Sequence, residues 1–162
     1  MRWTACLRKL SMVDTVDKAT RSRMMAGIKG KDTKPEILVR KALHAEGFRF
    51  RLHVKALPGK PDIVLPKYKS LIFVHGCFWH GHDCGIFRMP KSNRRFWKAK
   101  ISGNRRRDLR HATELSILGW RVLTVWECAT RSKKQAELDK IISRSAKWIR
   151  SNRNSLEVRG RK

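Results

Sequence analysis

The chain has 162 residues, with 39 Lys or Arg against 13 Asp or Glu and a formal charge of +26. That length suits one domain with a real core. No apolar run approaches the roughly 20 residues of a membrane span, so the field of positive charge is expected to serve a nucleic acid and not a membrane.

The first residues, Met1 to Leu10, are too short and too charged a stretch for a secretory signal, and a cytoplasmic protein is expected. Residues 1–16 show no steady period and are expected to form a poorly ordered extension. Asp17 can cap a helix over 18–28, in which Met24, Met25 and Ile28 fall at helical spacing. These three either dock the helix on the core or enter a DNA groove as apolar wedges. Thr33-Lys-Pro-Glu36 is a capping box that predicts a helix over 34–46, stopped by Gly47.

Phe48, Phe50, Leu52 and Val54 alternate with polar residues and predict a half-buried strand. The turn at Leu57–Pro61, the run Asp62–Leu65, a second turn at Pro66–Ser70 and the run Leu71–Val74 complete a three-strand meander. Ser92 can cap a short helix carrying Phe96, Trp97 and Ile101, which Gly103 is expected to break. A long basic helix follows over 104–118, then a strand at 120–126 and a last helix at 133–150. Residues 151–162 are basic, nearly without apolar groups, and are expected to be disordered. The fold expected is α/β, a mixed sheet flanked by helices, in one domain over 17–150.

The densest chemistry lies in Leu71-Ile-Phe-Val-His-Gly-Cys-Phe-Trp-His-Gly-His-Asp-Cys84. Thiolates and imidazoles at this spacing are zinc ligands. With four cysteines in all, no signal, and histidines interleaved, metal ligation is expected in place of disulfides. His75, His80 and His82 exceed what such a site uses, so at least one is free for other work. Phe78 and Trp79 stand beside these ligands on an irregular loop where core packing does not call for them.

Asp62 opens one strand while Val74 and His75 close the next, so one tight turn brings them side by side. A carboxylate so placed is how many nucleases hold Mg²⁺; the plainer reading is that it caps the turn. The PD-(D/E)xK nuclease pattern would add an acidic-x-Lys pair on the second strand, and this chain has none.

Four segments, Asp17-Lys-Ala-Thr-Arg-Ser22, Leu57-Pro-Gly-Lys-Pro-Asp62, Phe73-Val-His-Gly-Cys-Phe-Trp-His80 and Leu118 to Cys128, together resemble the very-short-patch repair (Vsr-type) DNA mismatch endonucleases. The likeness runs from about Asp17 to Trp148. It implies a PD-(D/E)xK-related fold with a structural zinc site, and nicking of one strand of duplex DNA on the 5′ side of the T in a T·G mismatch left by 5-methylcytosine deamination. By the same resemblance, Asp62 and the backbone carbonyl of Val74 bind Mg²⁺. His80 is the general base, His75 lies in the same cluster, and Glu36 and Asp108 support them. Cys77, His82, Cys84 and Cys128 hold Zn²⁺. Phe78, Trp79 and Trp97 enter the base stack, Met25 and Ile28 help from the opposite groove, and Lys100 and Asn104 are further DNA contacts. The partner implied is duplex DNA with a T·G mismatch, met by a monomer in the bacterial cytoplasm at the nucleoid. A functional link to a cytosine-5 methyltransferase and to mismatch-repair proteins is implied as well. Family members often have Thr where this chain has Val74, and histidines where it has Gly81 and Asp83.

Read without the resemblance, Glu36 is accounted for as a cap, Asp108 as part of a solvated helix face, and His80 as a rival to His82 for the zinc. The alternative from another class is a zinc-stabilised nucleic-acid-binding module without catalysis. The Asp62 and His80 pair separates the two, since a pure binder has no use for it.

Overall fold

A computed structural model describes residues 17–27, 30–131 and 135–160. The extension 1–16, Ile28 and the side chain of Met25 lie outside what is described. Asp17 caps α1 (Lys18–Ala26), accepting the Thr20 N–H at 2.6 Å. Thr33 caps α2 (Lys34–Ala45), and the Glu36 carboxylate reaches back to the Thr33 hydroxyl and the Asp32 N–H, each at 2.9 Å. Gly47 (φ +85) then ends α2 in a Schellman turn, with Gly47 N–H on the His44 carbonyl and Phe48 N–H on that of Leu43.

The sheet has five strands in sequence order: β1 (Arg51–Leu52), β2 (Ile63–Leu65), β3 (Ser70–His75), β4 (Arg121–Trp126) and β5 (Ser155–Val158). The first three form the expected antiparallel meander. β3 and β4 are parallel, with His75 opposite Trp126, and β4 and β5 are parallel again. Helix α3 (Arg94–Ile117) crosses over from β3 to β4. The short α4 (Glu127–Thr130) and α5 (Gln135–Arg150) cross from β4 to β5. Alternation along β2 and β3 sorts the core onto two faces. Ile63, Leu65 and Ile72 meet Val39, Leu43, Trp148 and Ile149 on one, and Val64 and Leu71 meet Leu115 of α3 on the other.

Three expectations are corrected. The predicted strand over 48–54 shrinks to two paired residues because His53 takes a left-handed φ of +47 and carries the chain out of the sheet. Leu52, expected to face the core, is 43% exposed. Gly103 does not break a helix: α3 runs unbroken for 24 residues from Arg94, and its N-cap is Asn93, not Ser92, with no side-chain capping bond. An interior glycine costs only about 1 kcal/mol against alanine, and Ile101, Asn104 and Leu115, buried on both sides of it, hold the helix down. Residues 151–160 are not a disordered tail but carry β5. Two apolar groups, Leu156 and Val158, suffice there because the edge of β4 supplies the backbone partners and Val158 is fully buried. Among the described residues no helix is long and apolar enough to cross a membrane.

Candidate active site

At the carboxyl end of β3 the meander brings Asp62 against Val74, whose N–H donates to Asp62 Oδ2 at 2.7 Å. The Asp62 side chain is only 17% exposed. Burial, helped by the negative charge of Glu36, pushes its pKa up to about 6 against the pull of the Val74 N–H, His53 and Arg40. A carboxylate held half out of water beside a second carboxylate favours any cation that reaches it, which fits a divalent metal.

One residue on, His75 lies flat against His80, ring centroids 3.9 Å apart and planes 4° from parallel. Burial first, and then the charge of His80, lower the His75 pKa to about 4, so its ring is neutral at physiological pH. His80 Nδ1 meets Asp108 Oδ2 of α3 at 2.5 Å. Burial alone would raise Asp108, but the His80 hydrogen bond and the surrounding imidazoles outweigh it and lower its pKa below the ordinary carboxylate value. The Asp108 contact leaves Nε2 as the His80 nitrogen able to accept a proton. His80 is thereby separated from the cysteine cluster, and Asp108 is not a solvated helix residue.

The loop after β3 turns tightly around Cys77, with His80 N–H on the Gly76 carbonyl and His82 N–H on the Cys77 carbonyl. Ligand atoms of Cys77, His82, Cys84 and Cys128 lie within 4.8 Å of one another. His82 Nδ1 stands 3.6 Å from Cys77 Sγ and 3.5 Å from Cys128 Sγ. A zinc tetrahedron of sulfur and nitrogen ligands has such an edge at about 3.6 Å. Burial raises the Cys77 thiol pKa, a cost that a bound cation would reverse. Gly81 has φ +59, and a Cβ there would sit 2.6 Å from Ile101 Cγ2, so a side chain at 81 requires Ile101 to shift.

Phe78, Trp79 and Trp97 form one aromatic group. Phe78 lies edge-on to both indoles at 5.1 Å, and Trp79 stands 6.1 Å from Trp97. Phe96, 60% exposed, extends the group outward. Lys100 is exposed on the same helix. Asn104, expected among the DNA contacts, is instead 8% exposed and spent inside the protein. Its amide donates to the Trp79 carbonyl at 2.7 Å, and its oxygen accepts from Arg107, so it braces the aromatic loop.

Sequence reasoning missed several supporting residues. Glu127 accepts the Cys77 N–H at 3.2 Å. Trp126, expected only as core, stacks on His82 at 4.0 Å and meets His75 edge-on at 5.5 Å, so one indole touches both the metal cluster and the histidine pair. Gly160 N–H donates to Cys128 Sγ at 3.3 Å, and a Cβ at 160 would strike the Cys128 carbonyl at 2.5 Å. Each of these contacts bridges distant segments, and no local spacing announces them. Arg40 and His53, unremarkable in sequence, sit at the far side of Asp62: Arg40 bonds Asp32, Glu36 and His53 together.

Residues 13–86 match the family model described as DNA mismatch endonuclease Vsr. A type II nicking enzyme, V.NmeAIP, of Neisseria meningitidis is 50% identical over 75% of this chain and 87% of its own length. The type II nicking enzyme V.XorIIP of Xanthomonas oryzae pv. oryzae is 50% identical over 72% of this chain and 86% of its own. DNA mismatch endonuclease Vsr of Escherichia coli is 44% identical over 85% of this chain and 88% of its own.

Proposed function

The chain belongs to the Vsr family of DNA mismatch endonucleases, and from that premise we propose that it nicks one strand of duplex DNA on the 5′ side of the T in a T·G mismatch. The observation that carries the chemistry is one unbroken run of contacts. It leads from Asp62 through Val74 and His75 to the His80–Asp108 pair, at the end of one strand pair. A non-catalytic binding module has no use for a half-buried carboxylate bonded to Val74 at the same strand end as a carboxylate-oriented histidine.

In this reading His80 takes a proton from the attacking water through Nε2 while Asp108, on Nδ1, fixes the tautomer and offsets the charge that develops. His75 stays neutral and stacks on the imidazolium as it forms. Asp62 and the Val74 carbonyl hold Mg²⁺, with Glu36 near enough to add to the negative field. The ion, when bound, supplies charge stabilisation for the phosphate and positions its waters. Cys77, His82, Cys84 and Cys128 take Zn²⁺ in a closed structural site that pins the loop at both ends of Phe78-Trp79. Phe78, Trp79 and Trp97 then act as a wedge, testing the step at which a wobble pair unstacks most easily. Met25 and Ile28 are assigned to the opposite groove, and Lys100 joins the basic surface that binds the backbone. The restriction-endonuclease-like fold is supported by the mixed sheet and its carboxylate at a strand end. We further infer a monomer working in the cytoplasm at the nucleoid, alongside a cytosine-5 methyltransferase and mismatch-repair proteins.

The test is incubation of the purified chain with end-labelled T·G and matched C·G duplexes, with and without Mg²⁺. Nicking of the T·G duplex alone, and only with the metal, is expected. Equal cutting of both duplexes, or none of either, overturns the proposal.

A further inference from the structure

Asp32, Glu36 and His53 offer ligand atoms within 4.8 Å of one another, the spacing of a metal site. The position a cation would take is filled. Arg40, whose side chain is 11% exposed, puts Nη1 2.5 Å from Asp32 Oδ1, and Nη2 2.8 Å from Glu36 Oε2 and 2.7 Å from His53 Nε2. A guanidinium only donates, so His53 Nε2 must accept. The proton of the neutral ring is then on Nδ1, and Nδ1 is the nitrogen that lies 3.9 Å from Asp62 Oδ1. The other Asp62 oxygen already accepts from the Val74 N–H. Asp62 thus has the Val74 N–H bonded to one oxygen and the His53 ring nitrogen near the other.

The backbone agrees with a built arrangement. Asp32 (φ +54) and His53 (φ +47) are both non-glycine residues in the left-handed region. Such conformations are strained and persist where surroundings enforce them, often at functional sites. Here the twist at His53 ends β1 and turns its ring back over Asp62.

Resting on the reading of Asp62 as a metal ligand, we propose that Arg40 and His53 are positioning residues that fix the rotamer of Asp62 for divalent-cation binding, with Arg40 as the resident cation of the Asp32, Glu36 and His53 cluster. Arg40 bonds the carboxylate that neighbours Asp62 and sets the tautomer of the ring that faces it. Neither residue touches the reacting atoms in this account.

The experiment titrates Mn²⁺ into the full, zinc-loaded chain without DNA and reads free Mn²⁺ by its paramagnetic resonance signal. Outer partners of metal ligands typically account for about 10–100-fold in affinity, so His53→Ala is expected to weaken Mn²⁺ binding by about that factor. His53→Gln should recover most of it, because its amide can both accept from Arg40 and donate toward Asp62. Binding by His53→Ala at the wild-type level, or a glutamine no better than alanine, overturns the proposal. Asp62→Asn separates the two readings: retention of Mn²⁺ by that variant removes the metal assignment itself, while loss there with an unchanged His53→Ala removes only the clamp.

Discussion

His75 and His80 are stacked ring on ring at 3.9 Å, yet among the described residues only His80 bonds a carboxylate. That asymmetry assigns the work. His80→Gln keeps an amide for Asp108 but has no nitrogen that can take a proton. Nicking of a T·G duplex in single turnover should fall about 10²–10⁴-fold, as for loss of a general base. Zinc content should not change, because His82 and not His80 faces the thiols. Zinc loss in this variant would exchange the two histidines' roles.

A second expectation turns on Asp62. Its pKa is raised from 3.8 to about 6 by burial, so between those values the native state holds a proton that the unfolded chain has released. Stability of the Mg²⁺-free protein therefore falls as pH rises through that window, by up to ~3 kcal/mol. His75, lowered from 6.5 to about 4, acts in the opposite sense, with stability lost as pH falls from about 6.5 toward 4. Asp62→Asn abolishes the first effect and leaves the second. The variant should melt higher than the parent at pH 8, be the more acid-sensitive of the two below pH 6.5, and have no nicking activity. Adding Mg²⁺ should raise the parent's melting temperature and leave the variant's where it was.

Cys128 joins the loop cluster from the end of β4, 51 residues beyond Cys77 in sequence. Cys128→Ser should lose the bound zinc and much of the folding stability, read by elemental analysis and a thermal melt. Active protein that contains no zinc would remove the assignment.

Trp79 sits in the aromatic group beside Phe78 and Trp97, its carbonyl held by Asn104. Trp79→Ala should leave salt-sensitive binding to ordinary duplex nearly unchanged, since that rests on the +26 charge. The ratio of nicking rates on T·G over C·G, at fixed salt, should collapse. An unchanged ratio in both Trp79→Ala and Phe78→Ala would place discrimination in polar contacts.

Much of this site was legible because its parts are local. The capping box at Thr33, the meander that pairs Asp62 with Val74, and the Cys77–Cys84 loop each follow from spacings within a few residues. The errors share a cause. Gly103 was read as a break because propensity is local, whereas Ile101 and Leu115 anchor α3 through tertiary packing. β5 was missed because its stabilisation comes from the β4 edge and not from its own composition. Trp126 and Arg40 are invisible for the same reason: an indole shared by two sites and a guanidinium among three acceptors exist only once distant strands and helices have met.

The placement of β5 bears on when the enzyme becomes dangerous to its own cell. A ribosome releases the chain N-terminus first, so the wedge, the carboxylates and all four cluster ligands emerge before β5 and before Gly160, whose N–H donates to Cys128 Sγ just beyond that strand. A nascent chain ending before residue 155 has a bare β4 edge and an unlatched metal loop. Stalled chains of that length should exchange zinc faster than the finished protein and should not nick. The last strand made is thus the one that covers the β4 edge and brings Gly160 onto the metal-ligand cluster.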